Sequence, residues 1–193
     1  MKQVSVLYCI TFFLLLFFGC KKKCEAFDEK HAMFIPTNMA LNDSIIFYSN
    51  DGDSVIFYFF SKKVSEPIEY SSCDECACAA TLDIKFVTKD DRCRISYNLT
   101  DYENVNNIHF QVNYHYEQNY AYAYFDYNLA KNPVTASKPI EDSVLVNDVY
   151  YKDVVVLTAN EFLDKMYVAK NMGLIMFTEK KSDVVWTINK PID

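Results

Sequence analysis

Apolar and polar residues alternate over run after run of this chain, and a period of two is the pattern of strands that bury one face. In "TLDIKFVTKDDRCRISYNL", residues 81–99, Leu82, Ile84 and Phe86 share one face, and Cys93, Ile95 and Tyr97 share one on the return strand. A turn near Lys89 and Asp90 sets Cys93 opposite Phe86. "DSIIFYSNDGDSVIFYFF", residues 43–60, reads as a hairpin around Asn50–Asp53, where Gly52 supplies a positive φ. "IHFQVNYHYEQNYAYAYFDYNL", residues 108–129, reads as another, with Phe110, Val112, Tyr114 and Tyr116 facing one way. Beyond its "EQN" turn, Tyr120, Tyr122 and Tyr124 form a ladder.

Fifteen Tyr and fifteen Phe against three Gly strengthen this reading, because rings suit pleated, half-buried surfaces. The expected fold is mainly β: an antiparallel curled sheet, sandwich or barrel-like, with at most one short helix. That helix is predicted at residues 158–165, capped by Thr158 or Asn160, between "DSVLVNDVYYKDVVVLT" and the strands of the last quarter. A loop is expected around Pro133–Pro139. The formal charge of −7 is spread along the chain, which argues against a nucleic-acid partner, since that needs a basic stripe.

The N-terminus has a different character. Lys2 precedes a nearly uncharged apolar run from Val4 to Gly19, followed by Cys20, Lys21, Lys22, Lys23 and Cys24. A bilayer-spanning helix needs roughly 20 apolar residues, so the run is short for a span and right for the core of a cleaved export signal. "LFFGC", residues 16–20, resembles the lipobox of bacterial lipoproteins of the Bacteroidetes type, with Phe17 and Phe18 where Leu and a small residue are commoner. The resemblance implies cleavage before Cys20 and acylation of its thiol, and several acyl chains hold a protein stably on a membrane. An ordinary secretory signal and an uncleaved anchor are the other readings of the run.

The division expected is therefore a signal peptide over 1–19, a lipidated N-terminus and tether over 20–42, and a single β-rich domain over 43–193. In lipoproteins of this group, acidic residues after the cysteine accompany display on the cell surface. Three lysines stand there instead, so the resemblance points to the periplasmic face of the outer membrane. Near the C-terminus Tyr167, Ala169, Gly173, Leu174, Ile175 and Trp186 resemble the ending of many small Bacteroidetes lipoproteins, which implies a β-rich fold and no activity.

Seven cysteines are present. With Cys9 in the signal and Cys20 acylated, Cys24, Cys73, Cys76, Cys78 and Cys93 remain, centred on "CDECAC" at 73–78. Structural disulfides are the first reading, permitted by an envelope location. Along an extended ladder Cys93 sits too far from Cys78 to bridge it, because a disulfide needs Cα atoms within about 7 Å. Two bridges are therefore expected among Cys73, Cys76, Cys78 and Cys93 through a loop that folds back, with Cys24 left without a partner. A thiolate metal site on the same four residues is the second reading. Cys-x-x-Cys redox chemistry at Cys73 and Cys76 is the third, opposed by Asp74 and Glu75, which raise thiol pKa values. His109 and His115 lie on the polar face of one strand, six positions apart, too far to share an ion.

The chain has no Gly-rich phosphate loop, no HExxH and no nucleophile elbow. No catalytic residue and no cofactor is assigned. The expected function is a membrane-anchored envelope lipoprotein with a non-enzymatic binding or structural domain, its partner an envelope protein or a glycan. Tyr120, Tyr122 and Tyr124 are the candidate stacking residues. The alternative is a thiol-redox or metal-handling protein built on the cysteine cluster.

Overall fold

The computed structural model describes residues 24–36, 39–41, 43–71, 76–102, 107–130, 135–160 and 162–188. The segment read as a signal, Cys20 and Cys73 lie outside the described residues, and of Cys76 only the backbone is described.

The described strands are β1 (Ser44–Ser49), β2 (Ser54–Val64), β3 (Ile68–Ser71), β4 (Cys76–Val87), β5 (Cys93–Tyr102), β6 (Asn107–Tyr116) and β7 (Asn119–Asn128). They continue as β8 (Thr135–Ala136), β9 (Ile140–Val146), β10 (Val149–Thr158), β11 (Leu163–Ala169), β12 (Gly173–Glu179) and β13 (Val185–Ile188). All join one antiparallel sheet that curls into a half-barrel, in the order β8-β7-β6-β5-β4-β2-β1-β13-β12-β11-β10-β9, with β3 beside the start of β4. Two meanders, one from each half of the chain, are thus sewn together where β13 pairs with β1. Among the described residues a single 3₁₀ turn at Glu29–His31 is the only helical element, and no helix is long and apolar enough to cross a membrane.

Alternation makes these strands. In β5, β6 and β7 every second residue is buried, including Ile95, Tyr97, Leu99, Phe110, Val112, Ala121, Ala123 and Phe125. With few glycines available, the turns rest largely on Asn and Asp in the left-handed region, which these side chains tolerate. Asn147 (φ 49°) and Asp148 (φ 62°) form the two-residue β9–β10 turn, as a type I′ hairpin requires. Gly52 takes φ 93° in the β1–β2 turn, as expected. Within β10, Asp153 has φ 51°, and Tyr151 and Val154 come to share a face. They pack with Val146, Ala169 and Ile175 in a small second core, separate from the main one inside the curl.

Three expectations are corrected. The β4–β5 turn is centred later than Lys89–Asp90: Phe86 opposes Ile95, and the wider turn contains Asp91 at φ 57°. A shift of two keeps every side chain on its expected face. Residues 158–165 form no helix. β10 runs to Thr158 and β11 begins at Leu163, while Asn160 Oδ1 accepts from the Tyr122 N–H at 2.7 Å. Asn160 thus works across the gap to β7 instead of capping a helix. Of the loop expected around Pro133–Pro139, residues 131–134 lie outside the described residues, and the short β8 occupies Thr135–Ala136.

The third correction concerns the tether. Residues 24–36 run into the mouth of the curl, where Phe27, Ala32, Phe34 and Ile35 are buried. Phe34 meets Phe125 and Tyr127 edge-on, at ring-centroid distances of 5.1 and 5.4 Å. Tyr127 Oη donates to the His31 carbonyl, and the Asn171 N–H donates to the Met33 carbonyl at 2.7 Å. His31 pairs with Asp101 at 2.7 Å, and Glu29 pairs with Lys62. The segment is a plug, part of the folded domain.

Gly173 shows how tightly the plug fits. Its φ is +77°, and a Cβ there would lie 2.7 Å from Tyr97 Oη and 2.9 Å from Pro36 Cδ. Gly173→Ala is expected to destabilise the domain by more than about 1–2 kcal/mol, the cost of the left-handed conformation alone. The clash adds to this by displacing Tyr97 Oη from the Leu174 N–H it accepts at 3.0 Å. Urea unfolding checks it: an unchanged midpoint would mean that Pro36 and Tyr97 do not press on this position.

Candidate functional site

The plug occupies the end of the half-barrel where β4 begins and β5 ends; call it the lower end. The upper end carries the turns at residues 50–53, 88–92 and 117–118, and it opens into a cleft of about 930 Å³. That volume lies in the range of about 300–1,000 Å³ typical of small-molecule sites. Five strands converge on it because the curl carries β13 round to β1. β2 brings Tyr58, β5 brings Cys93, β6 brings Tyr114 and Tyr116, β12 brings Glu179 and β13 brings Trp186.

The aromatic walls are held from behind. Trp186 stacks on Phe177 at 6.0 Å and 15°, and its indole N–H donates to Glu179 Oε1 at 2.9 Å. Ser182 donates to the other oxygen of Glu179 at 2.6 Å. Tyr114 packs on Phe177, Phe162 and Phe57, with centroid distances of 4.7, 5.8 and 6.3 Å. Tyr116 and Tyr58 stand at the rim, 39% and 38% exposed.

The charged rim is paired within itself. Asp90 accepts from Thr88 Oγ1 at 2.6 Å and from the Arg92 side chain, and these bonds hold its carboxyl down at about 2. Arg92 also lies 3.8 Å from Glu117. Beneath them the Cys93 thiol is buried, and burial first and Asp90 second push its pKa up. The thiol is therefore held protonated at neutral pH, the opposite of an activated nucleophile. Iodoacetamide should modify Cys93 much more slowly in the folded than in the unfolded protein, with the onset of reaction moved to higher pH. Peptide mapping of the Cys93 segment checks this, and equal rates in the two states would refute the burial argument.

The cysteines pair otherwise than expected. Cys24 is bridged to Cys78, with Cα atoms 5.5 Å apart, and Cys93 is a free thiol. The inability of Cys93 to reach Cys78 holds, since the two stand at opposite ends of the β4–β5 ladder. Its expected bridge through the "CDECAC" cluster does not form, and Cys24, expected to be left over, has the partner. The physical reason is the plug, which carries Cys24 to the inner face of β4 beside Cys78. A four-thiolate site is likewise not assembled, because Cys78 is in a disulfide and Cys93 is at the far end. Among the described residues no group of three or more His, Cys, Asp and Glu side chains is arranged to hold a metal ion.

Tyr120, Tyr122 and Tyr124 lie on the outer face of β7, as a ladder. Tyr120 is 4.4 Å from the His115 ring and 5.6 Å from Tyr122, and Tyr124 is 5.6 Å from His109 and 54% exposed. Beneath them runs a polar seam that alternation did not suggest. Asn113 is 5% exposed on this outer face, where its Oδ1 accepts from Tyr120 Oη and Gln111 Nε2, both at 2.6 Å. Its Nδ2 donates to Asn98 Oδ1 at 2.6 Å, and Asn98 in turn donates to Asp83. His109 and His115 are separate, the former paired with Asp126 at 2.8 Å.

Compared with known proteins, the chain matches no family model, no curated protein and no solved structure.

Proposed function

We propose that this chain is an envelope lipoprotein, acylated at Cys20, whose β domain binds a ligand in the upper cleft without transforming it. The observation that carries the binding half is the Tyr114 hydroxyl. The residue is only 4% exposed and lines the cleft, and its oxygen, which makes no hydrogen bond among the described residues, is not sealed from solvent. A hydroxyl left open to solvent among aromatic walls is the kind of placed polar group by which a mostly apolar cleft fixes a ligand.

A binding role fits the cleft better than catalysis. Glu179 is engaged by Trp186 and Ser182, and Asp90 by Thr88 and Arg92, so both carboxylates act as fixed walls. The thiol-redox or metal-handling alternative draws less support, because Cys78 is bridged and the Cys93 thiol is held protonated. The anchoring half rests on the "LFFGC" junction, and the lysines after Cys20 favour the periplasmic face of the outer membrane.

Fractionation of cells making Cys20→Ser tests the anchor. The wild-type protein is expected in membranes, and the variant in the soluble or signal-retained pool. A variant that stays in the outer membrane as the wild type does would refute acylation at Cys20.

A further inference from the structure

Three tyrosines have their rings inside the main core, and their hydroxyls differ in one respect. Tyr97 Oη accepts from the Leu174 N–H, and Tyr127 Oη donates to the His31 carbonyl. Tyr114 Oη has no such partner among the described residues and opens into the cleft. A ligand seated there must therefore offer a hydrogen-bonding group at depth, beside the stack of Tyr114 on Phe177.

The rest of the cleft narrows the chemistry. Its walls are aromatic, with Trp186 fixed on one side and Tyr58 and Tyr116 at the rim. A flat apolar face is what such walls receive. The charges that line it are Lys89 and Arg92 against Asp53, Asp90 and Glu179, a slightly acidic balance in which Arg92 is already held by Asp90. An anion would meet that balance unfavourably. An acyl chain would cover the Tyr114 hydroxyl without offering it a partner, and a polar group buried unpaired on binding opposes that binding. A pyranose meets all three conditions at once: an apolar C–H face, hydroxyls around its edge and no charge.

We infer that the upper cleft binds a neutral saccharide, one sugar face lying against Trp186 and Tyr116 and one hydroxyl hydrogen-bonded to Tyr114. The inference rests on the binding half of the function proposed above and names the ligand class for that site. It moves sugar stacking from the exposed ladder of Tyr120, Tyr122 and Tyr124 to the cleft.

The chain has one tryptophan, so Trp186 emission reports directly on this site. Detergent-solubilised full-length protein is titrated with maltose, cellobiose, lactose and diacetylchitobiose, and separately with glucuronate and decanoate. At least one of the neutral disaccharides is expected to change Trp186 emission saturably. Tyr114→Phe, which keeps the ring and removes the oxygen, is expected to weaken that binding roughly threefold to tenfold. Tyr124→Ala is expected to leave it unchanged. Saturable binding of decanoate or glucuronate alone overturns the saccharide while leaving the cleft a binding site. Saccharide binding that Tyr124→Ala abolishes and Tyr114→Phe leaves intact overturns the placement. Silence from every probe overturns the saccharide and withdraws support from the cleft itself.

Discussion

Phe34→Ala is expected to lower the stability of the folded domain by about 3–5 kcal/mol, as truncation of a fully buried ring does. The ring is 1% exposed and packs edge-on against both Phe125 and Tyr127, so the substitution leaves a cavity that β7 cannot close without moving. Edge-on pairs of this kind contribute about 0.5–1.5 kcal/mol beyond area burial, so two contacts are lost as well as the buried surface. A residue in a free tether would behave differently, changing stability within about 0.5 kcal/mol. Urea unfolding of the purified protein separates the two outcomes by the shift in midpoint. A midpoint close to wild type would put residues 27–36 outside the domain.

Opening the disulfide comes next in size. Cys24 and Cys78 are separated by 54 residues, and a cross-link closing a loop of that length stabilises by roughly 2–4 kcal/mol, mainly by restricting the unfolded chain. The double variant Cys24→Ala and Cys78→Ala is expected to lose that amount. It is also expected to unfold at the same urea concentration with and without reductant, whereas the wild type weakens on reduction. A wild-type protein indifferent to reductant would show that the bridge does not form. The two effects are linked, because the plug that buries Phe34 also delivers Cys24. Phe34→Ala should therefore cost more in reduced protein than in oxidised protein, where the cross-link still holds the segment at the mouth.

Much of the fold was legible in the sequence, for a reason that also marks the limit. A period of two reports which face of a strand is buried, and Leu82, Ile84, Phe86, Ile95 and Tyr97 all face the core as read. The β4–β5 turn is centred one residue later than expected, since Asp90 and Asp91 are chemically alike and either suits its centre. Only the left-handed φ of Asp91 decides between them. The helix expected at 158–165 rests on Thr158 and Asn160 as caps, and β11 keeps Leu163 and Met166, three positions apart, both buried through the irregularity between Leu163 and Lys165, which a period of two does not reveal.

The plug was harder to see. Its apolar residues are sparse and show no period, and what buries them is the mouth of a curl formed by strands far away in the chain. The cysteine pairing failed with it, as geometry along β4 and β5 excluded one bridge but gave no hint that Cys24 comes to the same place. The cleft was out of reach for a similar reason. Tyr114, Tyr116 and Trp186 each lie in strands that alternation identifies, but their convergence depends on β13 pairing with β1, and strand order across such a distance is not encoded in periodicity.

One consequence joins the two ends of the account. Only Lys21, Lys22 and Lys23 stand between the proposed acylated residue and the bridged Cys24, so an anchor at Cys20 would hold the lower end close to the membrane. At about 3.3–3.6 Å per residue, such a leash is far shorter than the ladder that separates Cys78 from Cys93. The cleft would then open away from the lipid, towards whatever the envelope presents.

The most direct measurement is the mass of the protein extracted from its own membrane, taken intact and after digestion without reduction. The expected result is a chain that begins at Cys20 and carries acyl chains there, with Cys24 linked to Cys78 and Cys93 recovered as a free thiol. A chain that retains residues 1–19, or one whose Cys20 bears no lipid, would contradict the anchor. A Cys24 joined to any residue other than Cys78 would contradict the plug.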